Sequence, residues 1–392
     1  MSVSANPTPL ERLGPERTVQ VSVVIPCLNE AENIQECVGR SWAVLRDHGI
    51  AGEVIVVDNG SNDESAELAR AAGARVVDEP RRGYGQAYLA GFEAARGDYI
   101  VMIDADLTYD FDEIPRFVRE LDGGAELVMG NRMQGIQPGA MSIVSRIGNP
   151  ILSGFLNLLY RSPIGDAHCG MRAFRRDILP ALELQSTGME FASEMVIRAV
   201  RKGLAVREVP IRLHPRGGES KLSPLRDGWR HLRLMLVYSP NFLFLLPGAL
   251  MVLLGTVLMV AVVADVPLFG RNFFVHTQIV ASGLLILGLQ VTGLGLCARA
   301  YGVFVLGERD AFLERMKERF RLEHGLLLGA GLFVAGLALV GVLFGKWAAR
   351  GYGALAEERL AILAATLALA GMQIVFTSFL ISILGLRRKP RA

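Results

Sequence analysis

Residues 99–106 read YIVMIDAD, a run of five apolar residues closed by Asp104-Ala105-Asp106. A short apolar run that is bounded by polar residues and rich in β-branched and aromatic side chains has the pattern of a strand buried on both faces. Working outward, VSVVI at 21–25 is ended by Pro26, EVIVV at 53–57 by Asp58, and ARVV at 74–77 forms a third run. Helix-like segments separate them: one opening at Asn29 and Glu30, one after the turn 59–63 and reaching Ala72, and one over Ala87–Arg96. Strands that are apolar throughout and alternate with helices predict an α/β, doubly wound sheet. In such sheets ligands bind beyond the carboxyl ends of the strands. Asn29, Glu30, Asp58, Asp104 and Asp106 all fall at those ends. GYGQAY at 83–88 resembles a dinucleotide fingerprint, but it has Tyr88 at the third glycine position and follows the third strand rather than the first. A dinucleotide fold is therefore not expected.

The composition divides the chain. Of 392 residues, 51% are hydrophobic and only 20% charged, against about 25% charged in soluble domains. Up to about Ser239 the sequence reads as a globular enzyme. Beyond it, about Phe242–Ala264, His276–Val305, Gly325–Gly345 and Leu360–Leu386 each meet the length of roughly 20 apolar residues needed to span a bilayer. The loop between the second and third spans carries Arg309, Arg315, Lys317, Arg319 and Arg321, and the chain ends in RRKPR. The positive-inside rule places both on the cytoplasmic side, and four spans then place the N-terminal half there too, with the plasma membrane the expected site in a prokaryote. The polar residues Gln290, Gln373 and Arg299 are exceptions in otherwise apolar spans. This is a poor endowment for an ion-coupled transporter and suits an anchor packed through Gly293/Gly295 and Gly331/Gly336. Just upstream, PLRDGWRHLRLMLVYSP places Leu225, Trp229, Leu232 and Leu236 on one helical face with Arg226, Arg230, His231 and Arg233 mostly elsewhere. That is the pattern of a basic amphipathic helix lying in the headgroup layer. The expected plan is a disordered tail at 1–18 without a signal peptide, a catalytic domain at 19–223, an interfacial helix at 224–241, a four-helix membrane domain at 242–386 and a basic tail at 387–392.

A formal charge of +2 gives no reason to expect a nucleic-acid partner. Cys27, Cys37, Cys169 and Cys297 are scattered, which argues against a disulfide framework or a structural zinc site. Asp104 and Asp106 face one ligand only if the chain turns after the strand. In that arrangement they suit Mg²⁺ or Mn²⁺ held jointly with a nucleotide diphosphate; the plainer alternative is a solvated turn.

VSVVIPCLNEAENI, VIVVDNGSNDES and DADLTYDFDEIP, in this order, resemble the family 2 glycosyltransferases of the GT-A fold. GNRM, SRIGNPILSGFLNLLY, DAHCGMRAF, GMEFASEMVIRA and HPRGGESKLS narrow the resemblance to the polyprenyl-phosphate (dolichyl-phosphate) hexose synthases. It covers about residues 20–240. It implies a nucleotide-sugar site in which Pro26, Leu28, Glu30, Val56 and Asp58 cradle base and ribose, with Asp104 and Ala105 beside the diphosphate. It implies metal ligation by Asp104 and Asp106, with Thr108 in a place where relatives often carry Gln. Arg132 and Arg146 correspond to cations on the acceptor phosphate, and Arg216 and Lys221 to residues that close over the phosphates. Asp166 and Glu194 correspond to acidic residues near the sugar, a helix cap being an equal alternative for Asp166, and Asp106, Arg132, Arg146 and Asp166 form the expected catalytic set. His168 and His214 read as structural or phosphate-adjacent rather than as metal ligands. The implied partners are GDP-mannose or UDP-glucose, a polyprenyl phosphate and the membrane, and a homo-oligomer is left open. The competing readings are a processive polysaccharide synthase, which would normally carry Q-x-x-R-W where this chain has only DGWRH, and a lipid flippase with a nucleotide-binding domain.

Overall fold

A computed structural model describes residues 19–216, 224–267, 270–304 and 322–385. The expected tail at 1–18, Lys221, the basic residues 309–321 and the basic end 387–391 lie outside them. The chain divides into two compact units after Met235.

The first unit is built on a seven-stranded sheet. Its strands are β1 (Val21–Cys27), β2 (Gly52–Asp58), β3 (Arg75–Asp78), β4 (Tyr99–Met102), β5 (Leu127–Asn131), β6 (Arg172–Arg175) and β7 (Val206–Pro210), in the order β3-β2-β1-β4-β6-β5-β7. The first four are parallel, as the alternation in the sequence predicts. β6 enters antiparallel between β4 and β5, so the sheet is mixed. β5, β6 and β7 are short and lack the long apolar runs that mark β1 and β2.

One face of the sheet, with Val23, Ile25, Val54 and Val101, packs on α1 (Ile34–Asp47) and α4 (Ile114–Asp122) through Ile34, Cys37, Val38, Phe117 and Leu121. The other face carries α3 (Tyr84–Ala94) and α7 (Phe191–Lys202); Phe92 meets Phe174 edge to face at 5.0 Å, and Tyr88 stacks on Phe191 at 5.9 Å. The short α2 (Ser65–Ala71) precedes β3, and α5 (Ile143–Tyr160) and α6 (Leu179–Leu182) flank β6 in sequence. Burying these side chains contributes roughly 1.5–3 kcal/mol each. α8 (Pro224–Val237) docks through His231 and Met235, both buried, while Trp229 is 60% exposed.

The second unit holds α9 (Leu246–Val263), α10 (Val275–Phe304), α11 (Leu322–Ala349) and α12 (Glu358–Leu384). These are long enough and, at mean hydropathies of 2.0–2.5, apolar enough to cross a membrane. Side chains such as Leu250, Val257, Leu327 and Phe376 face outward, where a soluble bundle would carry charge. The close helix contacts are made by small residues: a Cβ on Gly371 would strike the Gly329 carbonyl, and one on Gly336 the backbone of Ala364 and Ala368. Gly293 and Gly295 also sit in contacts, against Thr377 and against Phe244 and Leu245. Gly331 does not: the space beside it is open, which corrects its expected packing role.

Candidate functional site

The topology brings the candidate residues to one edge. β1, β2, β4, β5 and β7 all end there, and antiparallel β6 begins there, since Met102 pairs with Arg172. The loops after five strands and the loop before one therefore meet at the same place. The first two interlock: Asn29 N donates to Ser61 Oγ (2.9 Å), Asn62 N to Asn29 Oδ1 (2.8 Å), and Glu30 N to Ser65 Oγ (2.9 Å). Asn29 sits at φ 53°, a left-handed conformation that asparagine tolerates better than most residues. Glu30 and Asp58 are thereby held beside the ends of β1 and β2, with Ser61 N donating to Asp58 Oδ1 at 3.2 Å.

β4 stops at Met102, earlier than the apolar run suggests, and the chain turns through Ala105 and Asp106 with Leu107 at φ 59°. This turn is what the carboxylate pair requires. Asp104 Oδ1 accepts from Tyr84 and Tyr88 hydroxyls, each at 3.1 Å. Asp106 Oδ1 accepts from the Thr108 amide (3.1 Å) and hydroxyl (2.6 Å). Burial and the neighbouring Asp106 push the Asp104 carboxyl up to about 6, so the pair carries more negative charge than its surroundings satisfy. All oxygen donors and an unrelieved charge fit a hard divalent cation. Among the described residues no group of three or more His, Cys, Asp or Glu side chains could hold a metal alone. Thr108 positions Asp106 through its hydroxyl proton.

Arg216 reaches this pair from the far end of the unit. Leu213 bridges to Tyr109 and Ile136, and His214 N donates to Thr108 O at 2.9 Å, which carries the chain after β7 across the turn. The Arg216 guanidinium then spans Glu30 Oε1 and Asp106 Oδ2, both at 3.4 Å, and its buried Nε has no partner among the described residues.

Arg132, at the end of β5, is not a free cation. It grips the fully buried Asp166 with two side-chain bonds (2.6 and 2.8 Å) and one from its amide (3.1 Å). Asp166 is thus an ion-pair partner in the loop before β6, not a helix cap. Arg172, also fully buried, donates to the carbonyls of Ala167 (2.9 Å), Cys169 (2.9 Å) and Ala192 (2.8 Å), which shapes that loop. Gly170 faces Asp104 so closely that a Cβ would strike the carboxylate.

The remaining expected residues differ in what their side chains touch. Val56 and Ala105 have their side chains in the hydrophobic core, so any contribution to a nucleotide site is through backbone. Glu194 is fully buried on α7, accepting from the amides of Gln185 (3.0 Å) and Ser186 (2.7 Å), and so anchors the 185–187 loop. Pro26 and Leu28 are half-buried at the end of β1, and Arg146 is exposed on α5.

Sequence reading missed Tyr84, Tyr88 and Arg172. Tyr84 and Tyr88 are four apart at the start of a helix, hence on one face, but GYGQAY drew attention for its glycines. Gly83 itself takes φ 155°, with Thr187 O in the place of any Cβ. Because bonds to a charged group are worth about 1.5–3 kcal/mol, Tyr84→Phe/Tyr88→Phe should lower kcat/KM about tenfold or more and weaken Mn²⁺ binding, read by steady-state kinetics and calorimetry. Unchanged values for both would remove the tyrosines from the site.

A mixed α/β sheet with acidic residues at its carboxyl edge is joined here to four apolar helices, and the comparisons with known proteins make the chain a membrane glycosyltransferase of family 2. Residues 22–182 match the model for Glycosyl transferase family 2, and residues 296–385 the Glycosyltransferase family 2 C-terminal transmembrane region. The low-salt glycan biosynthesis hexosyltransferase Agl6 of Haloferax volcanii is 41% identical over 93% of this chain and 89% of its own length. The dolichyl-phosphate hexose transferase of the same organism is 36% identical over 45% of this chain and 76% of its own. The undecaprenyl-phosphate 4-deoxy-4-formamido-L-arabinose transferase of Enterobacter sp. (strain 638) is 32% identical, over 68% and 86%. Among solved structures, glucosyl-3-phosphoglycerate synthase from Mycobacterium tuberculosis, in complex with Mn²⁺, UDP and glucosyl-3-phosphoglycerate, aligns over 56% of this chain and 77% of its own at 24% identity and a TM-score of 0.46. The expected GT-A-type catalytic domain and integral membrane region are both present.

Proposed function

We propose that the chain transfers a hexose, mannose or glucose, from a nucleotide diphosphate sugar to the phosphate of a polyprenyl phosphate at the cytoplasmic face of a membrane, inverting the anomeric centre. The observation that carries this reading is the convergence of Glu30, Asp58, Asp104 and Asp106 with Arg132 and Arg216 on one sheet edge, in a chain with four membrane-length helices. The names of two relatives, which specify dolichyl and undecaprenyl phosphate, support the acceptor class.

The residues divide the work by charge. Glu30 and Asp58 accept hydrogen bonds from base and ribose. Asp104 and Asp106 would hold Mg²⁺ or Mn²⁺, which supplies neutralisation of the leaving diphosphate. Tyr84, Tyr88 and Thr108 keep those carboxylates oriented. A phosphate monoester has a second pKa near about 6, so the acceptor oxygen is already anionic at neutral pH and no strong general base is required. Two anions must nevertheless approach. Arg216 now spans Glu30 and Asp106; a diphosphate offers it stronger, bidentate partners. Lys221 and Arg216 would close over those phosphates, and Arg132 and Arg146 would meet the acceptor.

α5 supports the approach to lipid. Ile143, Ile147 and Ile151, four apart, are 77%, 59% and 64% exposed, with Arg146 among them. An apolar stripe with a cation suits the headgroup boundary. The Lys and Arg residues of the sequence between the second and third spans, Arg309 to Arg321, and of the chain's last residues support the cytoplasmic orientation.

The test is radiolabel transfer into lipid extract. The purified full chain, polyprenyl phosphate, Mn²⁺ or Mg²⁺ and each labelled nucleotide sugar in turn should give a mild-acid-labile glycolipid with one donor, lost on chelation. Nucleotide-sugar binding without a lipid-linked product from any donor would sink the proposal and favour a glycan acceptor.

A further inference from the structure

Two imidazoles and a hydroxyl are packed inside the first unit with no part in the chemistry above. Ser193 Oγ, on α7, lies 2.8 Å from His231 Nδ1, on α8, and 3.4 Å from His168 Nε2, in the loop before β6. The two rings meet edge to face at 4.5 Å. Ser193 is fully buried and His231 is 7% exposed. Burying such groups is costly unless they are bonded, and a hydroxyl, both donor and acceptor, can serve two imidazoles at once. An apolar trio would fill the space equally well but would not dictate where α8 sits.

We propose that His168, Ser193 and His231 form a clasp that couples the seating of α8 to the geometry of loop 166–170, with His231 a positioning residue for the acceptor side of the site. The links are continuous. His168 N donates to Asp166 Oδ1 at 3.4 Å, Asp166 holds Arg132 by two side-chain bonds, and Gly170 lies against Asp104. α5 is tied to both ends: Ala167 N donates to Ser153 Oγ (3.1 Å), and Tyr160 Oη to the Met235 carbonyl (2.7 Å). α8 is followed in the chain, within four residues, by the first apolar segment. A pull on that helix therefore reaches the loop through the clasp. The coupling to acceptor binding rests on the lipid-phosphate reading above; the clasp itself does not.

The clasp is also sensitive to acid. Burial pushes the His231 imidazole down to about 4, with Asp227 opposing and Arg172 and Arg230 assisting. Burial, then His231, Arg132 and Arg172, hold His168 well below the ordinary range. At these two imidazoles the folded chain thus binds fewer protons than the unfolded one as pH falls below about 6.5. Their contribution to stability is complete above that pH and is lost progressively as pH falls toward about 4.

Hydrogen–deuterium exchange on the full chain in detergent tests the clasp without any substrate. Ser193→Ala and His231→Phe should each raise exchange in 166–170 and in α8 at least tenfold, while His231→Asn, whose amide can replace Nδ1, restores protection. The parent's melting temperature should also fall more steeply between pH 6.5 and 5 than that of His231→Asn. In transfer assays, Ser193→Ala and His231→Phe should raise the KM for polyprenyl phosphate about tenfold and leave the Kd for UDP or GDP within twofold. Unchanged exchange overturns the clasp, and raised exchange with an unchanged acceptor KM overturns its coupling to the site. A parent protein that transfers to no polyprenyl phosphate fails the lipid-phosphate reading instead, and the exchange result stands apart from it.

Discussion

Asp106→Asn should lower kcat/KM for hexose transfer by at least about 10³-fold, equivalent to roughly 4 kcal/mol of transition-state stabilisation. The substitution is nearly isosteric. The Oδ1 that accepts from the Thr108 amide and hydroxyl is kept, so the turn after β4 should survive. What disappears is the negative charge at Oδ2, the atom that faces Arg216 at 3.4 Å and that a divalent cation would bind. Removing one electrostatic contact in such sites typically costs 10²–10³-fold, and losing a metal ligand belongs at or beyond the upper end. The melting temperature should stay within a few degrees of the parent while Mn²⁺ binding by calorimetry is lost. Transfer within tenfold of the parent, with Mn²⁺ still bound, would falsify the assignment of Asp106.

Asp166→Ala should act through stability first. It leaves the Arg132 guanidinium, 10% exposed at the side chain, without its carboxylate. Breaking one side of a buried pair costs about 3–5 kcal/mol, because the remaining charge is uncompensated. For a catalytic unit of this size that corresponds to a fall of about 10 °C in melting temperature. The double substitution Asp166→Leu/Arg132→Met should recover most of that loss, since replacing a buried pair by apolar residues of similar volume is often neutral or stabilising. Activity should not recover with it. Thermal melts and transfer assays on the three variants separate the two effects. If the double variant were as active as the parent, Arg132 would have no role at the acceptor; if the single variant melted like the parent, the pair would not be buried as described.

The pair also shows where a sequence stops being informative. Arg132 read as a free phosphate-binding cation and Asp166 as either a cap or an acidic site residue, because nothing in a one-dimensional string says that positions 34 apart will meet. Glu194 poses the same problem: an acidic residue in an apolar helix is equally consistent with a ligand contact and with anchoring a loop, and only the tertiary structure shows its carboxylate on the amides of Gln185 and Ser186. Tyr84 and Tyr88 carried a usable signal, their spacing, but their target is a carboxylate on another strand.

Local physics, by contrast, was enough for the frame. Strands buried on both faces need unbroken apolar runs, so β1 and β2 and the run ending at Asp104 declare themselves, and with them the carboxyl edge where ligands bind. Membrane spans need roughly 20 apolar residues regardless of their neighbours, and all four of these helices lie within a few residues of the expected windows. The antiparallel insertion of β6 was not legible, because RAFR is a four-residue segment whose direction depends on what it pairs with. Yet that insertion brings loop 166–170 against Asp104 and Arg132 against Asp166. Periodicity and length are properties of one segment and survive in any context. Contacts between charges far apart in the chain exist only once the sheet order has been chosen, and here that order assembles the site.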